Sequence, residues 1–240
     1  MKKQMKILVT AGGTMTMIDR MRGITNIAGG RTGRRIADYF RSQNHQVTLL
    51  TSAPHIISDL HCDCPTRNSV LPKLEVIKFK TYDELLSQMR ELITGHKFDV
   101  VIHSAAVSDY YVQRVCEQND LGELITVNNH GKVSSGHETL FLQLAQTRKI
   151  VDMIKKSWKF KGVLVKFKLE TGLSDGDLIT VASKSAKQSG ANLVVANHFE
   201  SFNEKAFIVG PSGSLGKDIG FSIEVSRNNL PSTLHGLVTK

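Results

Sequence analysis

Lys6-Ile7-Leu8-Val9-Thr10-Ala11-Gly12-Gly13-Thr14 is a short apolar run that stops at a pair of glycines, and a helical pattern resumes only near Gly30. Residues 6–10 suit a central strand buried on both faces. Ile36, Tyr39 and Phe40 then recur at helical spacing, so residues 30–43 are predicted to be the first helix. The crossing between them, within Met5 to Gln43, is the unusual feature. An ordinary strand-to-helix connection takes about two to six residues. This one holds Thr14, Thr16, Asp19, Arg20, Arg22, Thr25, Asn26 and the pair Gly29-Gly30. Met17, Ile18, Met21, Ile24 and Ile27 punctuate it, which predicts a packed loop, and a long packed loop in an α/β unit is expected to carry function.

Working outward, strand and helix signals alternate. Residues 46–51 read as strand two, 52–72 as a loop with Pro54, Pro65 and Pro72, and 74–79 as strand three. Thr81 or Asp83 caps a helix with Leu85, Leu86, Met89, Leu92 and Ile93 on its inner face. Residues 99–104 form strand four. Residues 108–136 show no sustained period and read as a flap. A helical region spans Leu140 to Trp158, with Leu144, Ile150, Val151 and Ile154 on one side. Strand five (162–168), a helix (178–189) and strand six (191–197) follow. The segments 206–210 and 221–225 read as a hairpin, here taken over about 205–226, and 230–238 as a short helix. The expected fold is α/β: a doubly wound, mostly parallel, Rossmann-like sheet with a flap segment and a C-terminal β-hairpin. No repeat or interdomain linker stands out, so residues 1–240 are expected to form one domain.

With 40% apolar and 22% charged residues the composition is that of a globular chain with a real core. The net charge of +9 suits an anionic partner or a surplus of surface cations. Nucleic acid is disfavoured, because the cations are dispersed and lack aromatic interleaving. The clusters Arg31/Arg34/Arg35 and Lys155/Lys156/Lys159/Lys161 read as solvated helix faces. Cys62, Cys64 and Cys116 make an odd count with no C-x-x-C, which fits a reducing compartment. No run approaches the roughly 20 apolar residues of a membrane span. A cytoplasmic protein is expected, without membrane or nucleic-acid partners.

A nicotinamide fold of the short-chain dehydrogenase type is one chemical reading. Its glycine spacing fails, since Gly12-Gly13 is followed by Thr14-Met15-Thr16-Met17 and Gly29-Gly30 lies far beyond the strand. Neither Tyr110 nor Tyr111 has a lysine four positions on. The other reading places Gly12-Gly13-Thr14, residues 105–110, Phe167 to Thr171 and Ala196-Asn197-His198 at the carboxyl ends of parallel strands. Small-residue turns there let backbone amides approach a phosphate. Asp109 is placed to meet a ribose or a hydrated metal, or simply to cap a turn.

Taken in order, Thr10 to Thr14, Asp19, Arg22 to Asn26, Gly30-x-x-Gly33, Ala105 to Tyr110, Lys132 to Ser135, Phe167 to Thr171 and Val195 to Asn197 resemble phosphopantothenoylcysteine synthetase. The likeness runs over about residues 6–200 and is to the stand-alone form, without a flavin-dependent decarboxylase domain in front. It implies a ligase of coenzyme A biosynthesis. A nucleoside triphosphate, CTP or ATP, would activate 4′-phosphopantothenate as an acyl nucleotide, and L-cysteine would then take the acyl group. It implies Mg²⁺ carried on the phosphates and needs neither flavin nor NAD.

By that resemblance Asn26 holds the intermediate, Arg22 assists the cysteine step and Lys132 neutralises phosphate charge. Gly12, Gly13, Thr14, Ala105, Ala106, Asp109 and Phe167 would surround the nucleotide, with Lys184 and Lys187 clamping its triphosphate. Gly29 and Gly30 would join Asn26 at the acyl substrate, and a homodimer is implied. Three departures stand out. Ile27-Ala28-Gly29-Gly30 replaces His-Ser-Ser/Thr-Gly, Lys166 replaces a glycine, and His198 replaces an acid. A non-catalytic nucleotide-binding module is the competing class.

Overall fold

Strand β1 (Lys6–Ala11) leads through a short antiparallel pair, β2 (Met15–Met17) and β3 (Gly23–Thr25), to helix α1 (Arg31–Ser42) and strand β4 (Gln46–Thr51). The structure is a computed structural model and describes residues 3–53, 72, 74–127, 131–216 and 220–239. Strand β5 (Glu75–Lys78), helix α2 (Tyr82–Gly95) and strand β6 (Val100–His103) come next. Three strands then stand apart: β7 (Tyr110–Gln118), β8 (Leu124–Thr126) and β9 (Phe141–Gln146). Helix α3 (Ile150–Lys156), strand β10 (Val163–Glu170), helix α4 (Asp175–Ser189) and strand β11 (Leu193–His198) complete the parallel part. Strands β12 (Lys205–Gly210) and β13 (Phe221–Ser226) and helix α5 (Leu230–Val238) follow.

The main sheet has the order β13-β12-β11-β10-β6-β1-β4-β5. Neighbours from β5 to β11 are parallel, so the carboxyl ends of β1, β6, β10 and β11 share one edge. Strands β12 and β13 close the other side as an antiparallel hairpin. The doubly wound α/β expectation is met.

Alternation along β1 sorts its side chains to two cores. Ile7, Val9 and Ala11 pack with Ile36 and Phe40 of α1 and Leu234 of α5. Leu8 packs on the other face with Leu85 and Met89 of α2 and Ile150 and Ile154 of α3. Leu178, Ala182 and Ala186 of α4 cover Val194 and Ala196. Helix α2 begins where predicted: Thr81 accepts from the Glu84 amide while the Glu84 carboxylate accepts from the Thr81 amide, a reciprocal cap.

Several expectations need correction. The long crossing is partly β-structured, with Thr16 paired to Ile24. The predicted helix from Leu140 to Trp158 is helical only over Ile150–Lys156; Phe141–Gln146 is a strand that pairs with β7. Leu140 and Leu142 stand two apart and meet the flap's own core of Val115, Val127 and Val133, a strand period that the leucine-rich run hides beneath a helical one. The flap therefore extends beyond 136, to Gln146. A register shift between Val112 and Arg114 breaks the alternation of β7. Arg34 is buried and pairs with Asp38 at 2.5 Å. Lys155 lies over the Phe160 ring and donates to the Gly162 carbonyl. Those two cations are packing groups rather than parts of solvated faces. The loop reading of 52–72 falls outside the described residues except at Ser52, Ala53 and Pro72, as do Cys62 and Cys64.

Candidate active site

At the shared edge the ends of β1 and β6 are stitched together by main chain. The Ala106 amide donates to the Gly12 carbonyl at 2.8 Å, and the Thr14 amide donates to the Ala106 carbonyl at 3.1 Å. The Thr14 hydroxyl accepts from the Ser108 amide at 2.8 Å. Asn26 joins from the returning loop, its Nδ2 donating to the Ala106 carbonyl at 2.9 Å. A Cβ on Gly13 would stand 2.9 Å from the Asn26 carbonyl oxygen and 3.2 Å from the Asn26 Cβ. Glycine at 13 is what lets the Asn26 strap lie on the strand end. Gly33 does the same for α1, where an added Cβ would meet Ala11 Cβ at 2.7 Å and Thr10 O at 2.9 Å.

Beneath this patch lies a polar layer that the sequence reading did not assign. Thr10 Oγ1 accepts from the Ala105 amide at 3.1 Å and faces His103 Nδ1 at 2.9 Å. The hydroxyl keeps a proton and a second lone pair, so it serves either tautomer of a neutral His103. Burial, seconded by the Lys166 ammonium, lowers the His103 pKa to about 4. Lys166 is itself buried, pairs with Ser185 Oγ at 2.8 Å, and has its pKa lowered chiefly by burial. His198, at the end of β11, faces Asp175 at 2.8 Å, and Lys205 reaches the same carboxylate at 3.1 Å. These contacts account for two of the departures, Lys166 and His198, as members of local ion and hydrogen-bond networks.

Arg22 and Lys132 come from segments far apart in sequence and meet through Asp19. The Asp19 carboxylate accepts from Arg22 Nη2 at 2.6 Å and from the Val133 amide at 3.0 Å. Lys132, next in the chain to Val133, is exposed and lines an open cavity of about 530 Å³ with Glu117 and His137, which pair at 2.5 Å.

The structure thus brings Gly12, Gly13, Thr14, Asn26, Ala105 and Ala106 into one bonded patch. Asp109 is exposed just beyond it and bonds Thr147 through its carbonyl. Gly29 and Gly30 lead into α1, where Gly30 is the N-cap at φ 74 and no side chain caps the helix. Phe167, on β10, is half-buried against the α1–α5 core. Lys184 and Lys187 are exposed on α4, about 14 and 18 Å along the helix axis from Asp175 at the carboxyl edge. No hydrogen bond among the described residues ties them to the patch. Asp19 carried a sequence signal, a carboxylate followed by a turn and an arginine three positions on, but its long-range partner Val133 did not.

An edge of small residues at the carboxyl ends of parallel strands is the class of site in which α/β domains take nucleotides and phosphorylated ligands. The family described as DNA/pantothenate metabolism flavoprotein C-terminal domain matches residues 2–210, and the chain belongs to it. The coenzyme A biosynthesis bifunctional protein CoaBC of Thermococcus kodakarensis is 36% identical over 202 residues, covering 83% of this chain and 43% of its own length. The chain therefore spans less than half of that relative. Phosphopantothenate–cysteine ligase CAB2 of Saccharomyces cerevisiae is 21% identical over 265 residues, covering 90% of this chain and 71% of its own. The crystal structure of the DNA/pantothenate metabolism flavoprotein from Streptococcus pneumoniae superposes with a TM-score of 0.73 at 27% identity, covering 97% of each chain.

Proposed function

We propose that the chain is a phosphopantothenate–cysteine ligase domain of coenzyme A biosynthesis, acting in the cytoplasm. In the first step a carboxylate oxygen of 4′-phosphopantothenate attacks the α-phosphorus of CTP or ATP. Pyrophosphate leaves, and an acyl nucleotide remains. In the second step the cysteine amine attacks the acyl carbonyl, the nucleoside monophosphate leaves, and the amine gives up a proton.

The observation that carries this reading is the bond from Asn26 to Ala106 at the Gly13 crossing. It supports a preorganised carboxamide whose Oδ1 and second Nδ2 hydrogen are left for the intermediate. Ala105, Ala106 and Thr14 would line the nucleotide, with Phe167 beside its base. Gly12 and Gly13 would admit phosphate to the backbone, while Gly29 and Gly30 would receive the acyl substrate. Lys132 would neutralise charge on the leaving pyrophosphate, and Arg22 would act in the cysteine step.

Mg²⁺, when bound, would offset phosphate charge. Among the described residues no three His, Cys, Asp or Glu side chains form a metal cage. The single carboxylate of Asp109 fits an ion that arrives on phosphates and keeps several waters. No helix in the described residues is long and apolar enough to cross a membrane. Exposed Tyr110, Tyr111, Phe141 and Leu144 on the flap support a homodimer.

The deciding experiment is pyrophosphate release with phosphopantothenate and either CTP or ATP, followed by amide formation on adding L-cysteine. Release with one nucleotide fixes activity and base preference together. Nucleotide binding without release would leave a non-catalytic module. Tight NADH or NADPH binding by fluorescence titration would instead favour an oxidoreductase.

A further inference from the structure

Asp19 sits at the tip between β2 and β3 with its side chain fully enclosed. Five N–H bonds converge on its two oxygens. Oδ1 accepts from the Met21 and Arg22 amides, each at 2.8 Å. Oδ2 accepts from Arg22 Nε at 3.0 Å, Arg22 Nη2 at 2.6 Å and the Val133 amide at 3.0 Å. Arg22 Nη2 also donates to the Val133 carbonyl at 2.7 Å, so that one residue of the flap is gripped on both its polar groups. On the other side of Lys132, the Gly131 carbonyl accepts from the Arg20 amide at 3.1 Å. Ile18 adds an apolar contact to the flap core around Val133. Lys132 therefore stands between two residues that are both pinned to the loop carrying Asn26, while its own side chain remains exposed.

We propose that Asp19 is a positioning residue: it clips the flap to the substrate loop so that Lys132 and Asn26 are carried on one unit, and it acts on the reaction through Lys132. This rests on the ligase reading above. The Arg22 guanidinium beside Asp19 holds its carboxyl well below the usual carboxylate range, so the clip stays charged wherever the protein is folded near neutrality. Removing the charge while keeping the shape weakens the Val133 amide bond and the hold on the Arg22 guanidinium that grips the Val133 carbonyl.

The test is a double-mutant cycle on the full chain with Asp19→Asn and Lys132→Gln, read by pyrophosphate release and amide formation. Asp19→Asn is expected to lower kcat about tenfold or more with little change in the nucleotide KM, as misplaced catalytic groups do. In the Lys132→Gln background the same substitution is expected to cost almost nothing further in pyrophosphate release, because both act on that step through one side chain, whereas amide formation also feels Asp19 through Arg22. Equal fold-losses of pyrophosphate release in both backgrounds would overturn the proposal, since a general loss of folded protein multiplies.

A second arm needs no variant. In the wild-type protein the Val133 amide is expected to exchange its hydrogen slowly, and trypsin is expected to spare the Lys132–Val133 bond. An unprotected Val133 amide in folded protein would also overturn the clip. Should the wild type release no pyrophosphate with either nucleotide, the ligase reading fails by itself and Val133 exchange still decides the clip.

Discussion

Asn26, Gly13 and Ala106 meet within bonding distance although they come from three segments, and the contact leaves no room at Gly13 for a side chain. Gly13→Ala should lift the Asn26 strap and reduce turnover about tenfold or more, because a displaced reacting group costs rate steeply. Circular dichroism should remain that of the folded protein, and wild-type turnover in that variant would remove the close approach from the account. His103 makes a separate prediction. Its pKa falls from 6.5 to about 4 on folding, so between those values the unfolded chain takes up a proton that the folded one refuses. Stability from this group is therefore complete above about 6.5 and declines as pH falls toward 4. Urea unfolding at pH 7 and pH 5 should show a drop that His103→Asn reduces; an unchanged pH dependence in that variant would assign the drop elsewhere. That Asn26, Ala105 and Ala106 gather at one strand edge was legible because they lie in short contiguous motifs. The work of Asp19 was not, since its partner Val133 is 114 positions away.

At the scale of elements, legibility followed the clarity of each local signal. Thr81 and Glu84 sit at capping-box spacing, and α2 begins there. Thr81→Ala should cost about 1 kcal/mol, seen as a lower urea midpoint with the slope unchanged. An unaltered midpoint would mean that the cap contributes nothing. Strand β9 failed to show itself for an opposite reason. Leu140, Leu142 and Leu144 alternate as a strand does, yet with Ile150, Val151 and Ile154 they also satisfy a helical spacing, and only pairing with β7 decides between the two. The hairpin β2–β3 was hidden by its brevity, three residues in each strand. Such pairs are held by tertiary contact rather than by propensity.

Across the whole molecule, the parallel sheet was readable because apolar runs and amphipathic helices alternate from β1 to β11. The order of strands was not, as it depends on which crossovers pack where. That order gathers the ends of β1, β6, β10 and β11 on one edge and sets the Asn26 loop there. The net charge of +9 should draw triphosphate and phosphopantothenate toward the protein. The nucleotide KM should accordingly rise as salt is raised from about 0.05 to about 0.5 M, where screening shortens the reach of exposed charges. A KM insensitive to salt would confine the attraction to buried contacts. The central claim is that the Asn26 loop holds an activated acyl group beside nucleotide phosphates. Quenched-flow analysis of Asn26→Asp with phosphopantothenate, CTP or ATP, and L-cysteine tests it most directly. The account predicts pyrophosphate release without amide formation; amide formed at the wild-type rate in that variant would contradict it.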